Sequence, residues 1–143
     1  MDEIDFEGLG KVVKKSKDGS ATFIEVDAPD LRRVLTKLRL SGVKRLMTIT
    51  GVDNGREIEV IYHFDANYHI VNVKIRIGRE DSKVESITTI FSGAKLFERE
   101  LAEMLDVRIE GNREPQNVFL CEGSPRAPLR KKDDVEMKEK GND

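Results

Sequence analysis

Two histidines, a pair of glutamates and a lone cysteine are the residues of this 143-residue chain whose types could do chemistry. His63 and His69 flank a turn between two strand-like runs and could approach each other, which would suit a metal ion if an acid stood at ligand spacing beside them. None does, so the two read as residues of a sheet surface. Glu98 and Glu100 suggest an acid/base pair, but two positions apart on a helix they point about 160° away from each other and cannot share one substrate. Cys121 has no second cysteine to pair with and nothing beside it to activate a thiolate, and it favours a reducing compartment. Gly8-Leu9-Gly10 is too short for a phosphate cradle, and no serine sits in a nucleophile elbow. The chain therefore reads as non-catalytic: catalytic residues none, cofactor-binding residues none, metal ligands none.

The elements that position these residues follow from periodicity. Lys11 to Lys15 and Ala21 to Val26 read as strands joined by the turn residues Lys17 to Ser20. Asp27 or Asp30 beside Pro29 starts a helix, in which Leu31, Val34, Leu35 and Leu38 form an apolar stripe before Gly42. Arg32, Arg33, Lys37 and Arg39 cover its outer side.

Lys44 to Gly51, Arg56 to Phe64 and His69 to Ile77 read as three consecutive strands. Asn54-Gly55 predicts a two-residue type I′ turn that sets Met47 and Ile49 on the face of Ile58, Val60, Tyr62 and Phe64. If Phe64 faces His69, Glu59 meets Lys74, Glu57 meets Arg76, Val60 meets Val73 and Ile58 meets Ile75, a consistent register.

A second helix is predicted from Ala94 to Asp106, with Ala94, Leu96, Phe97, Leu101, Met104 and Leu105 along one broad apolar arc. Glu100 falls inside that arc, Glu98 at its edge, and Arg99 and Glu103 on the far side. An acid on a packing face needs a partner, either within the domain or on another protein.

The expected fold class is α+β: a mostly antiparallel sheet in β-α-β-β-β-α order with two helices on one face, the first strand, helix and second strand forming a βαβ unit. Residues 1-110 are expected to form this compact domain, and residues 111-143 an extended, partner-binding C-terminal tail. Past Gly111 prolines and charges dominate, and such a tail cannot bury enough apolar surface to fold alone.

With 25 basic and 27 acidic residues the molecule does not advertise nucleic acid as a partner. The acidic start MDEIDFEGLG lacks the form of a signal peptide, and no run approaches the ~20 apolar residues of a membrane span, so membrane association is expected only through partners. High charge, a single Gln (Gln116) and no Trp resemble a heat-adapted protein.

Three segments in order, LMTITGVDNGREIEVIYHF, VESITTIFSGAKLFERELAEMLDVRIEGN and PLRKKD, resemble the 30 kDa subunit family of respiratory complex I (the C subunit of NADH:quinone oxidoreductase) and its relatives in membrane-bound energy-converting [NiFe] hydrogenases. Asp53, Tyr62-His63, Ser86, Ile87, Ala94, Glu98-Arg99-Glu100 and Leu129-Arg130-Lys131 match its motifs, over about two-thirds of the chain. Glu103 stands where the family has Asp, Asp106 where it has Gly, and Lys132 is an extra lysine, departures that fit a divergent archaeal or hydrogenase-type relative.

The resemblance implies a non-catalytic accessory subunit of a membrane-bound, ion-translocating oxidoreductase, either a ferredoxin-linked hydrogenase or a complex I-like machine. It would dock on the hydrogenase-large-subunit-like (49 kDa-type) chain beside the Fe–S small subunit, rigidifying a peripheral arm on the cytoplasmic side of the cell membrane. This chain would carry no cofactor, with [4Fe–4S] clusters, and in the hydrogenase version a NiFe centre, in the partner subunits. Glu98, Arg99, Glu100, Leu129, Arg130 and Lys131 are the expected interface residues. The alternative is a free-standing small α+β module that grips an acidic protein or nucleic acid with its basic first helix.

Overall fold

A computed structural model of the chain describes residues 11–111 and 127–131. Strands β1 (Lys11–Lys15) and β2 (Ala21–Glu25) pair antiparallel across the predicted turn. A 3₁₀ turn, Ala28–Asp30, leads into helix α1 (Leu31–Leu40), with Pro29 inside the first turn where its missing amide costs nothing. Leu31, Val34, Leu35 and Leu38 are the residues α1 buries, as their spacing predicts, and Gly42 follows with φ +105°.

Strands β3 (Arg45–Asp53), β4 (Glu57–Asp65) and β5 (Ile70–Gly78) form the meander. The five strands make one sheet in the order β1-β2-β5-β4-β3, antiparallel except for the β2–β5 pair. β2 and β3 therefore run the same way on either side of the α1 crossover, but β5 and β4 lie between them. The βαβ unit is split. Beyond the sheet, β6 (Lys83–Glu85) pairs parallel with β7 (Arg108–Glu110), and between these two comes helix α2 (Ala94–Leu105). The α+β class, the mostly antiparallel sheet and the two helices on its inner face agree with the sequence.

Both hairpin registers differ from expectation, for a local reason each. Asn54 does not enter a type I′ turn. Its side-chain oxygen accepts the amides of Arg56 and Glu57, the loop closes from Asn54 N–H to the Glu57 carbonyl, and Asp53 pairs with Ile58. The two-residue turn sits instead at Asn67-Tyr68, where both residues have positive φ (57° and 68°) and Ala66 donates to the His69 carbonyl at 2.7 Å. Phe64 consequently meets Val71, Val60 meets Ile75 and Glu59 meets Arg76, a shift of two residues. Because side chains alternate with period two, that shift leaves every residue on its predicted face. Glu59 still finds both cations, lying 3.5 Å from Lys74 and 3.5 Å from Arg76.

A bulge between Leu46 and Thr48 turns Met47 outward and buries Leu46 in its place. Packing of α2 on the sheet depends on Gly51 in β3: a Cβ there would stand 2.5 Å from Cδ1 of Leu101 and closer still to Cδ1 of Leu105. The core between the sheet and its helices is aliphatic around Tyr62 and Phe64, with Phe91 tilted against Phe64 at 4.8 Å between ring centroids.

Candidate functional site

Helix α2 buries Ala94, Glu98, Leu101 and Leu105, a stripe at i, i+4, i+7 and i+11. The apolar arc read from the sequence is wider, running from Leu96 through Met104, Phe97 and Leu101 to Leu105; the helix is instead rotated, so that Leu96 is 56% exposed and Glu100 is exposed beside it. The acid on the packing face is Glu98, fully buried, and not Glu100. Arg99 is half-buried at the side of the helix.

Glu98 can be inside because the segment before the helix is built to receive it. Ser86 donates its hydroxyl to one carboxylate oxygen at 2.8 Å, and the Ile87 amide donates to the other at 2.9 Å. The single hydroxyl proton of Ser86 being so used, Thr88 is the donor in the 2.9 Å contact between the two hydroxyls. Burial raises the Glu98 carboxyl above its ordinary range, and the Ile87 and Ser86 donors only partly offset that. The buried Tyr62 phenol is pushed up as well, by desolvation first and by the charge of Glu98 second. Its hydroxyl has no hydrogen-bond partner among the described residues.

A second buried carboxylate, Asp53 at the end of β3, organises the other feature. It accepts the Gly55 amide at 2.9 Å and the Lys131 amide at 2.7 Å, and Arg79 lies against both of its oxygens at 3.0 and 3.2 Å. Burial would raise the Asp53 carboxyl, but the Gly55 and Lys131 amides and the Arg79 guanidinium outweigh it and hold the group below its usual range. Arg79 also donates to the Lys131 carbonyl at 2.6 Å. Arg130 donates to the Ser82 hydroxyl at 2.6 Å, while its Nε lies 3.9 Å from Asp53. Leu129 donates its amide to the carbonyl of Met104 in α2 at 2.9 Å and leaves its side chain 58% exposed.

The six residues expected at an interface thus fall into different settings. Glu98 faces inward, Arg99 lies half-buried at the side of α2, and Glu100 and Leu129 face outward. Arg130 turns its guanidinium onto Ser82 and Asp53, and Lys131 is held by its main chain. Asp53 is visible in the sequence as a motif residue, but nothing there marks Arg79 or Ser82 as its companions. Of the tail expected over 111-143, residues 112–126 and 132–143, with Cys121 among them, lie outside the described residues.

The two histidines do not approach each other. His63 binds Asn72 and Thr50, while His69 binds Thr22. Asn72 donates its amide toward the Thr22 carbonyl, so its oxygen accepts from His63 Nδ1–H and His63 Nε2 accepts from Thr50. Among the described residues no three of His, Cys, Asp or Glu gather as metal ligands, and no helix is long and apolar enough to cross a membrane.

Among known proteins, the family described as the respiratory-chain NADH dehydrogenase 30 kDa subunit matches residues 24–139. The C subunit of NADH-quinone oxidoreductase from Paramagnetospirillum magneticum is 32% identical over 130 residues, covering 86% of this chain and 64% of that protein. Its counterpart from Ruegeria pomeroyi is 29% identical over 107 residues, covering 74% of this chain and 54% of that one. The chain therefore spans little more than half to two-thirds of these relatives. In fold it resembles a chain of the membrane-bound sulfane sulfur reductase, an archaeal respiratory membrane complex, with a TM-score of 0.73 at 23% identity, covering 96% of this chain and 87% of that one. A trypsin-resistant fragment of Nqo5 gives a TM-score of 0.61 at 17% identity, covering 66% of this chain and 82% of the fragment.

Proposed function

The chain belongs to the respiratory-chain NADH dehydrogenase 30 kDa subunit family, and on that premise we propose that it is an accessory subunit of a membrane-bound, ion-translocating oxidoreductase, complex I-like or ferredoxin-linked and hydrogenase-type. It docks on a large subunit of the hydrogenase-like 49 kDa type, beside an Fe–S small subunit, on the cytoplasmic side of the membrane. Cofactors, [4Fe–4S] clusters and in the hydrogenase version a NiFe centre, belong to those partners. This chain supplies rigidity.

The observation that carries the reading is the outward side of α2. Leu96 is more than half exposed beside Glu100, which has no ion-pair partner among the described residues. An exposed leucine beside an exposed acid on a rigid helix suits a partner surface with an apolar groove and a cation.

Leu96→Asp with Glu100→Lys reverses that chemistry at two exposed positions without touching the core. The purified variant should keep its own unfolding temperature, while recovery of the intact multi-subunit complex from the membrane fraction falls at least tenfold. Undiminished recovery, or a native protein that exists only as a free chain of 16.2 kDa, overturns the reading.

A further inference from the structure

The stretch from Leu31 to Arg45 contains Arg32, Arg33, Lys37, Arg39, Lys44 and Arg45 and not one aspartate or glutamate. The whole chain carries −2, so this stretch of +6 stands against −8 in the remainder. On the open face of the sheet the fold brings opposite charges together, with Lys74 and Arg76 sharing Glu25 and Glu59. Along α1 and the turn after it, Arg33 meets Asp30 at 3.8 Å, and among the described residues none of the other five cations has a carboxylate in ion-pair contact. Arg32 turns to the Thr89 hydroxyl at 3.3 Å, and Arg39 to the Lys44 carbonyl at 3.2 Å and the face of Phe91. Those contacts hold the two guanidinium groups in place and leave their charge uncompensated.

Helical spacing sets this charge around one apolar side chain. α1 buries Leu31, Val34, Leu35 and Leu38, and at about 100° per residue Leu40 falls opposite the middle of that stripe, with Arg33 and Lys37 beside it at i−7 and i−3. Arg33, Lys37 and Leu40 are all exposed, Leu40 by 82%. Cations in a last turn favour the negative end of the helix, which accounts for Lys37 and Arg39 but gives Leu40 no part. An isolated surface leucine is ordinary, whereas one in the middle of an acid-free cationic face has the make-up of an interface centre, an apolar anchor inside a charged rim.

We propose that the outward face of α1 binds an acidic protein surface, one that seats Leu40 in an apolar hollow and sets carboxylates against Lys37 and the cations around it. Charge complementarity selects an anionic partner, and Leu40 selects among anionic partners. A membrane surface needs an apolar stripe to bury, but the stripe of α1 is already in the core and leaves one leucine outside. Nucleic acid would meet the cations with its phosphates, yet it offers nothing to a leucine, and α1 carries no aromatic side chain on which a base could stack. A protein supplies both halves of the match. This face belongs to a different helix from Leu96 and Glu100, so the proposal stands or falls apart from the docking reading above.

A photo-crosslinking amino acid placed at Leu40 in the full-length chain, activated in intact cells and followed by mass spectrometry, identifies what lies against this face. The crosslink should fall on one protein, at a site flanked by aspartates or glutamates. Lys37→Glu should cut the yield of that crosslink at least tenfold while leaving the unfolding temperature of the purified chain nearly unchanged, and Lys37→Arg, which keeps the charge, should preserve the yield. Exchanging the partner's nearest carboxylate for lysine should restore the crosslink to the Lys37→Glu chain. The proposal is overturned if no protein is crosslinked, if the site reached has no acidic residues, if Lys37→Glu leaves the yield unchanged, or if phospholipid or RNA is crosslinked in place of protein.

Discussion

Gly51→Ala measures how closely α2 is seated on the sheet. Carbon atoms in van der Waals contact sit about 3.5–4.0 Å apart, whereas an added Cβ at position 51 would lie 2.5 Å from Leu101 Cδ1 and closer to Leu105 Cδ1. Each leucine tip must withdraw by about 1 Å or more to restore contact distance. Both leucines are buried, Leu101 4% and Leu105 1% exposed, so their tips must shift within the core and not out into solvent. Overpacking of this kind costs about 1–3 kcal/mol, and displacement of two buried leucines belongs in the upper half of that range. Against it, alanine restricts the unfolded chain and returns about 0.4–1 kcal/mol. The net loss should be about 1–2.5 kcal/mol, a fall of roughly 5–15 °C in midpoint for an ordered domain of this size.

Urea and thermal unfolding followed by circular dichroism would measure it. In a Leu105→Val background, which removes the closest methyl, the same substitution should cost about 1 kcal/mol less, as expected for residues that share one contact. Wild-type stability in the single variant, or an identical cost in both backgrounds, would refute the close approach of helix and strand.

Glu98→Gln should flatten the pH dependence of stability. The folded state binds the Glu98 proton more tightly than the unfolded chain does, so the stability linked to this group is complete below the ordinary carboxyl range and is lost as pH rises through the raised value. A glutamine accepts from Ile87 and donates to Ser86, whose proton then turns to Thr88, so urea midpoints between about pH 4 and 8 should lose that slope. Glu98→Ala, which orphans the Ile87 amide, should cost about 1–3 kcal/mol, and equal slopes for Glu98→Gln and the unmodified chain would contradict the account. Asp106 ends α2 in the left-handed region (φ 53°, ψ 47°), a conformation costing most L-residues about 1–2 kcal/mol and aspartate less. Asp106→Gly relieves it, removes a negative charge from the negative end of the helix, and should raise the unfolding midpoint by a few degrees; a lower midpoint would show that the aspartate side chain stabilises the cap.

The faces of the sheet were legible because alternation survives any even shift of register. Ile58, Val60, Tyr62 and Phe64 are inside although each pairs two residues away from its expected partner. The register itself was hidden, because a tyrosine in the left-handed region at Tyr68 is a poor match for any turn rule, whereas Asn54-Gly55 fits one and does not follow it. The rotation of α2 was hidden for another reason. Apolar periodicity takes in Leu96 and Met104, and with them Glu100, and leaves Glu98 at the edge of the arc; only the Ser86 hydroxyl and Ile87 amide, on a separate segment, make burial of Glu98 tolerable. The contact between the Asp53 carboxylate and the Lys131 amide joins residues 78 apart in the chain, a separation at which no local pattern carries a signal.

The split crossover has a consequence for the order in which the molecule is made. β3, β4 and β5 are joined by short turns and close with little loss of loop entropy, but β2 must find β5, pairing Ala21 with Ile70 and Glu25 with Lys74. During synthesis β2 and α1 therefore leave the ribosome with their apolar faces uncovered and wait for β5 before they can be buried. β2 can pair with β1 across its local turn at once, but its other edge stays unpaired until β5 appears, and that exposed edge is where early misassociation is expected.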